Sequence, residues 1–455
     1  MTPTVAIIGG GPCGLTLARL LECKGIDYVV YERDKSENSN RVGGSLDLHP
    51  ETGQRALREG DLFDEFKRFA RYDDTVFAIA DKLGKRLVEL GQGRDAPEID
   101  RSELRQILLD AIPKDKIKWG HALTSATVGE DNRPVLQFAN GAVLSGFKLV
   151  VGADGAWSKV RSMITQTTPR YTGKTVLVSK IDHENPLYET TASKVGVGSS
   201  LSIGSGKYIM IQRQGNGSYR NSFGLQVPEN FFRNGTGNIH DVETIRHLLL
   251  SDFFAGWSEE YKGLIRHATD FRAWPLYTLS SEDMCWKSVT GATIAGDAAH
   301  LSFTGGSGVN LAMTDSLKLA SKIAEHGSEI FDQAVQEYEA DMFPRGIARI
   351  TESKVLENVM HSEDPQAYRA YVARLNCTVV GSIRDDAVPG VAELKAFPKE
   401  DGSSLLLVKI ESSSSTNASS AAKEMEAAGI NHINILIGPQ YWHEPTNRTY
   451  RDGRC

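Results

Sequence analysis

Four residues near the start of the chain have types and spacing suited to holding a diphosphate. Gly9, Gly11 and Gly14 give the spacing G-x-G-x-x-G, and Glu32 follows 18 residues after the third glycine. The first glycine allows a tight turn, the second lets backbone approach a pyrophosphate, and the third lets a helix pack on a strand. A helix starting there offers free N–H groups and the positive end of its dipole. An acid at the end of the next strand can accept from a ribose hydroxyl. The chemistry is dinucleotide binding, and it needs strand, turn, helix and second strand in order. Residues 5–8, 15–24 and 28–31 supply the apolar run, the helical stretch and the second run.

Two further acids sit in similar settings. Asp154 lies in Gly152-Ala-Asp-Gly155, after the apolar run 147–151. There it either faces a phosphate or ribose or belongs to an ordinary Asp-Gly turn. Asp297 follows the short apolar run 292–295 and precedes Gly305, Gly306 and Gly308. Those glycines let backbone pass close to a flat ring, and the N-terminus of the next helix can face developing negative charge. Between these motifs lies Arg41-Val-Gly-Gly-Ser-Leu-Asp-Leu-His49. Arg41 is either a phosphate ligand or a solvated loop cation, and Asp47 could hold a ribose or a ring N–H.

The positioning elements follow from periodicity. Residues 53–71 read as one helix with Leu57, Leu62, Phe66 and Phe69 inward. Ser102 reads as an N-cap for the helix carrying Leu104, Ile107 and Leu108. Residues 175–228 alternate between apolar runs and Gly/Ser/Asn-rich turns, the pattern of an antiparallel sheet. Helices are expected over 241–254, 257–267, 311–324 and 330–342.

Composition narrows the function classes. With 455 residues there is room for two or three domains. The net charge of −7, without a long basic run, argues against nucleic acid. No apolar stretch reaches the roughly 18 residues of a membrane span. The first apolar run begins at Val5, which leaves no room for a signal peptide. Five cysteines without C-x-x-C spacing suggest reduced thiols. A cytoplasmic monomer with no metal is expected.

Taken together, the three glycine-acid stretches, in this order, resemble the class A flavoprotein monooxygenases, the aromatic-hydroxylase family. The closer resemblance is to the tetracycline-inactivating monooxygenases and their fungal relatives. It is carried by Gly43-Gly-Ser-Leu-Asp-Leu-His49, Pro97-Glu-Ile-Asp-Arg-Ser-Glu-Leu-Arg105, Ser158-Lys-Val-Arg161 and Gly296-Asp-Ala-Ala-His-Leu301, and it covers about residues 4–365. It implies an α/β fold, with a Rossmann-type FAD-binding domain (1–174 and 285–365) interleaved with an antiparallel-sheet substrate domain (175–284). Gly9, Gly11, Gly14, Glu32 and Arg33 would serve the ADP half of FAD, with Asp154 near the pyrophosphate. Asp47 and Asp297 would hold the ribityl and isoalloxazine portions. Arg101 would contact the flavin, Asn310 would sit beside its ring, with Gly308 opening the helix there, and Arg41 would meet NADPH. The implied reaction is flavin reduction by NADPH, O₂ capture as a C4a-hydroperoxide, and oxygen transfer to an aromatic or polycyclic small molecule. The loop Leu301-Ser-Phe-Thr-Gly-Gly-Ser-Gly308 lacks the prolines usual in the family. That departure keeps open an uncoupled flavin oxidase or dehydrogenase, or a non-catalytic flavoprotein.

From Leu375 the chain resembles a different fold. Strands are expected at 378–383, 404–410 and 433–437, with a helix at 418–428 between the last two. The pattern is similar to part of a short-chain dehydrogenase, without its glycine-rich loop or a Tyr-x-x-x-Lys motif. Residues 376–455 therefore read as a truncated α/β appendage with no second activity.

Overall fold

The computed structural model describes residues 3–39, 43–73, 76–90, 95–234, 237–303, 306–327, 330–364 and 367. It also gives the backbone of three strands at 391–398, 404–410 and 433–435. The chain divides into two compact units, Met1–Tyr368 and Arg369–Cys455.

The first unit holds a five-stranded sheet with Val5–Ile8 at its centre. Its order is Ala292–Ile294, Leu149–Gly152, Val5–Ile8, Tyr28–Tyr31, Ile117–Lys118, and every pair is parallel. Strands buried on both faces read as unbroken apolar runs, which is how these residues appear in sequence. Register does the positioning. Ile8 stands beside Gly152 and Tyr31, and Gly152 stands beside Ile294. The loops bearing Gly9, Glu32, Asp154 and Asp297 therefore leave the sheet together, at its carboxyl edge. That is where open α/β sheets bind ligands.

A second sheet has seven strands. Its order is Arg272–Thr278, Arg170–Ile181, Tyr219–Gln226, Lys207–Arg213, Ser199–Gly204, Phe77–Asp81, Arg86–Leu90. The last two come from 77–90, far upstream of the stretch that reads as sheet in sequence. One face carries Leu177, Ile209 and Phe223 against Phe254, Trp257 and Tyr261. The opposite face carries Val176, Leu201, Ile203 and Tyr208 against Phe303 and Met360.

Three elements differ from the sequence expectation. The helix expected over 53–71 is two, Gly53–Glu59 and Phe63–Phe69. Asp61 takes a left-handed φ of 54° between them, so Phe66 is buried whereas Phe69 stays 39% exposed. The helix expected to start after Ser102 starts at Arg101, with Asp100 in the capping position. The helix expected over 330–342 runs from Phe331 to Met360, through Pro344. Its buried residues continue as Met342, Gly346, Arg349, Ser353, Glu357 and Met360. This three-to-four spacing persists across the proline, so packing overrides the lost hydrogen bond.

In the second unit, Val391–Pro398 pairs antiparallel with Ser404–Ile410, which pairs parallel with Ile433–Ile435. The strands expected at 404–410 and from 433 are present, and 391–398 is an addition. The expected strand 378–383 and helix 418–428 lie outside the described residues.

Two outcomes test this packing. A methyl at Gly14 would lie 2.0 Å from the Gly9 carbonyl oxygen, whereas one at Gly11 meets nothing within 4 Å. Gly14→Ala should destabilise the flavin-free protein by about 1–3 kcal/mol or more, and Gly11→Ala by far less, read from urea unfolding. Burial pushes buried His361 down to about 4. The unfolded chain then binds that proton more readily, so stability is full above about pH 6.5 and falls as pH drops toward 4. Urea midpoints measured at pH 7 and pH 5 should differ less in His361→Phe than in the parent.

Candidate functional site

The glycine turn is a cradle with one open side. Gly9 has φ 109°, and a side chain there would strike the Ala153 carbonyl oxygen at 2.4 Å. Gly14 is closed by helix-strand contact, and Gly11 faces open space. Glu32 is 1% exposed. Its Oε2 accepts from Gly10 N at 2.5 Å and its Oε1 from Asp34 N at 2.9 Å. The acid therefore ties the glycine turn to the second strand, a role that the spacing does not reveal. Arg33 is exposed on the turn just beyond, and Arg41 lies outside the described residues.

Asp154 packs directly against this turn. A methyl on Gly9 would come within 3.0 Å of its Cα. Its Oδ2 accepts from Lys159 N at 2.7 Å, while Oδ1 is buried with no hydrogen-bond partner among the described residues. Burial raises its pKa above the ordinary carboxylate range. A buried orphan oxygen is costly unless a ligand completes it. Asp154 stands against the Gly9 turn, while Gly11 of the same turn faces open space, so the residues present suit a pyrophosphate and its flanking ribose.

Asp297 is exposed at the first turn of Asp297–His300. What fixes its loop is another acid. Asp315, on the long helix Gly308–His326, is fully buried. Its Oδ2 accepts from Gly296 N at 2.9 Å and from His300 Nε2 at 2.5 Å. Its Oδ1 accepts from Arg345 at 2.7 Å. Burial raises the Asp315 pKa, but His300 and Arg345 more than offset it and hold the group below its ordinary value. Sequence reasoning missed this network. Its one signal was an acid on the inward stripe of an otherwise apolar helix face.

Asp47 accepts from His49 Nε2 at 2.9 Å. Its Oδ1 lies 3.5 Å from where a methyl on Gly306 would stand, which joins the Asp47 segment to the 301–308 loop. Arg101 is exposed and crosses Gly43 so closely that a methyl there would meet its Cδ at 2.7 Å. Asn310 is buried and turned toward residues 47–53. Its Oδ1 accepts from His49 N at 2.9 Å and Thr52 Oγ1 at 3.0 Å, and its Nδ2 donates to the Asp47 carbonyl at 2.8 Å. Asn310 thus clamps the Asp47 segment. The 301–308 loop is pinned near its start: Leu301 O accepts from Leu279 N, and Phe303 O accepts from Ser353 Oγ at 2.8 Å and Arg349 at 3.3 Å. Gly308 opens the helix and, among the described residues, has nothing within 4 Å of its missing side chain.

This arrangement is matched over residues 2–224 and 263–353 by the family described as FAD binding domain. The chain belongs to that family. It is an FAD-dependent flavoprotein monooxygenase, an oxidoreductase. The monooxygenase asqM of Emericella nidulans is 30% identical over 368 residues, 70% of this chain and 83% of that one. The 3-amino-4-hydroxybenzoate 2-monooxygenase of Streptomyces cremeus is 27% identical over 356 residues, 75% and 83%. Two solved structures share the monooxygenase fold. Klebsiella pneumoniae HpxO, complexed with FAD and uric acid, aligns with TM-score 0.66 at 22% identity, covering 81% of this chain and 91% of that one. Tetracycline destructase Tet(55) aligns with TM-score 0.61 at 21% identity, covering 80% and 91%. A short C-terminal part is similar to the short-chain dehydrogenase srdF of Neurospora crassa, 50% identical over 70 residues, 15% of this chain and 28% of that protein.

Asp315→Asn should strip His300 of its charge partner and leave Arg345 with Asp341 alone, at about 3–5 kcal/mol. The expected result is a lower urea midpoint and faster flavin release from the monooxygenase. A variant that unfolds and releases flavin like the parent would remove Asp315 from this role.

Proposed function

We propose that this monooxygenase uses FAD and NADPH to place one atom of O₂ on an aromatic or polycyclic small molecule. The observation that carries the reading is the shared carboxyl edge, where Gly11 lies open and the Asp154 Oδ1 lacks a partner among the described residues. FAD, when bound, supplies the ring that takes electrons from NADPH and activates oxygen.

The chain's own residues bind, orient and exclude water. Gly9, Gly11 and Gly14, with the N-terminus of Pro12–Cys23, would receive the pyrophosphate. Glu32 and Asp154 would accept from ribose hydroxyls, with Arg33 beside them. Asp47, Arg101 and Asp297 would meet the flavin half. The start of Gly308–His326 carries no acid in its first turn, so its dipole can favour negative charge on the ring. Arg41 would contact NADPH. Residues 175–284, with the strands from 77–90, would shape the substrate side. The domain division expected above, tail included, forms part of this proposal.

A second reading rests on the 301–308 loop. Without its prolines, the loop would leave the reduced cofactor to pass electrons to O₂ without oxygenating the substrate. Among the described residues, no helix is long and apolar enough to cross a membrane.

The purified protein should be yellow and oxidise NADPH faster when an aromatic substrate is present. Mass spectrometry should then find a product carrying one added oxygen atom, with little hydrogen peroxide. If every aromatic tested leaves the rate unchanged, and all the electrons appear as peroxide, the oxidase reading replaces this one.

A further inference from the structure

A polar island stands in the apolar core behind the second sheet. Side chains alternate between faces along a strand. Asn221 lies between Tyr219 and Phe223 on Tyr219–Gln226, and all three point toward the face covered by Phe254, Trp257 and Tyr261. Ser179 pairs with Asn221 from the neighbouring strand Arg170–Ile181, and Leu177 and Ile181 flank it on that face. Ile211 pairs with Asn221 from the other side. Tyr219, Phe223, Leu177, Ile181 and Ile211 are each at most 3% exposed.

Neither polar side chain meets a partner there. Asn221 is fully buried and Ser179 is 2% exposed. The Asn221 Oδ1 and Nδ2 and the Ser179 Oγ have no hydrogen-bond partner among the described residues. An asparagine amide carries two N–H donors and an acceptor oxygen, and a serine hydroxyl carries one donor and two lone pairs. Each such group left bare costs about 1–3 kcal/mol. One direct bond between the two side chains would still leave an amide N–H bare. Other hydroxyls on this face are engaged elsewhere: Tyr219 donates to the Gly196 carbonyl at 2.7 Å, and Ser202 bonds to Tyr261. An occupant must both donate and accept. It must also be neutral, since none of the five flanking side chains carries a charge to offset an ion. Directly paired side chains have Cβ atoms about 4.5–5.5 Å apart, so a molecule the size of water can touch both heads. Buried waters make about three hydrogen bonds to groups that are otherwise unsatisfied.

We propose that one structural water is bound between Asn221 and Ser179. It accepts from Asn221 Nδ2 and donates to Ser179 Oγ, whose hydroxyl donates in turn to Asn221 Oδ1. That ring uses all three atoms that lack a partner. It fastens Arg170–Ile181 to Tyr219–Gln226 through side chains, on the face turned away from Phe303 and Met360. The site depends on the sheet alone, so it stands whichever molecule the enzyme oxidises.

The test is a crystal structure of the flavin-loaded protein, refined at a resolution that shows ordered water. A water oxygen is expected about 2.7–3.2 Å from both Asn221 Nδ2 and Ser179 Oγ. In solution, magnetic relaxation dispersion of the solvent oxygen counts long-lived internal waters. Asn221→Leu fills the gap and removes the amide, and it should lower that count by one with flavin content unchanged. Should this variant fail to fold, the crystal structure of the parent decides alone. An empty gap, an amide bonded directly to protein groups, or density that refines as an ion overturns the proposal. So does a folded Asn221→Leu variant with as many internal waters as the parent.

Discussion

The buried carboxylate of Asp315 is the constraint on which much of the molecule depends. It takes donors from a strand-end turn, a short helix and a long helix. Each donor belongs to a segment with another duty. Gly296 precedes the exposed Asp297, His300 closes the same turn, and Arg345 sits on the helix that also holds Phe303. A charge in an apolar interior is tolerated only when its partners are complete. That requirement forces three elements into one geometry, and the exposed acid then stands on a rigid base. Glu32 works in the same way on the other side of the central strand, tying the glycine turn to Tyr28–Tyr31.

Much of this was legible in sequence because the relevant signals are local. A glycine that must clear a carbonyl and an apolar run buried on both faces each leave a mark within a few residues. Register then did the rest, since parallel pairing of four short runs brings their loops to one edge. The Asp315 network left a single local mark, an acid on an inward helix stripe. An acid on a helix says nothing about an arginine 30 residues later until the helices pack. Asn310 is similar. Its position after the glycine loop suggests a neighbour of the cofactor ring, and its clamp on residues 47–53 shows only once the elements pack. The break at Asp61 and the passage through Pro344 were missed for different reasons. At Pro344 long-range packing outweighed a local rule, whereas at Asp61 the local stop is a helix cap at Gly60 closed by Leu62 N donating to Leu57 O.

The second sheet was only partly legible. Its central strands announce themselves between 175 and 228, but its far edge is borrowed from 77–90. Sequence separation hides such pairing, because a strand's partner is set by topology and not by its own residues. The polar pair behind it emerges only when the strands are aligned, since neither Asn221 nor Ser179 stands out singly.

Phe303 gives one further consequence. Its carbonyl is gripped by the helix Phe331–Met360, and its ring belongs to the apolar cluster under the second sheet. A single residue thus serves as anchor for one compartment and floor for the other. Reshaping that floor to admit a bulkier molecule would also shift the footing of the glycine loop. Efforts to broaden what the enzyme accepts would then trade directly against how faithfully each reducing equivalent ends up in product.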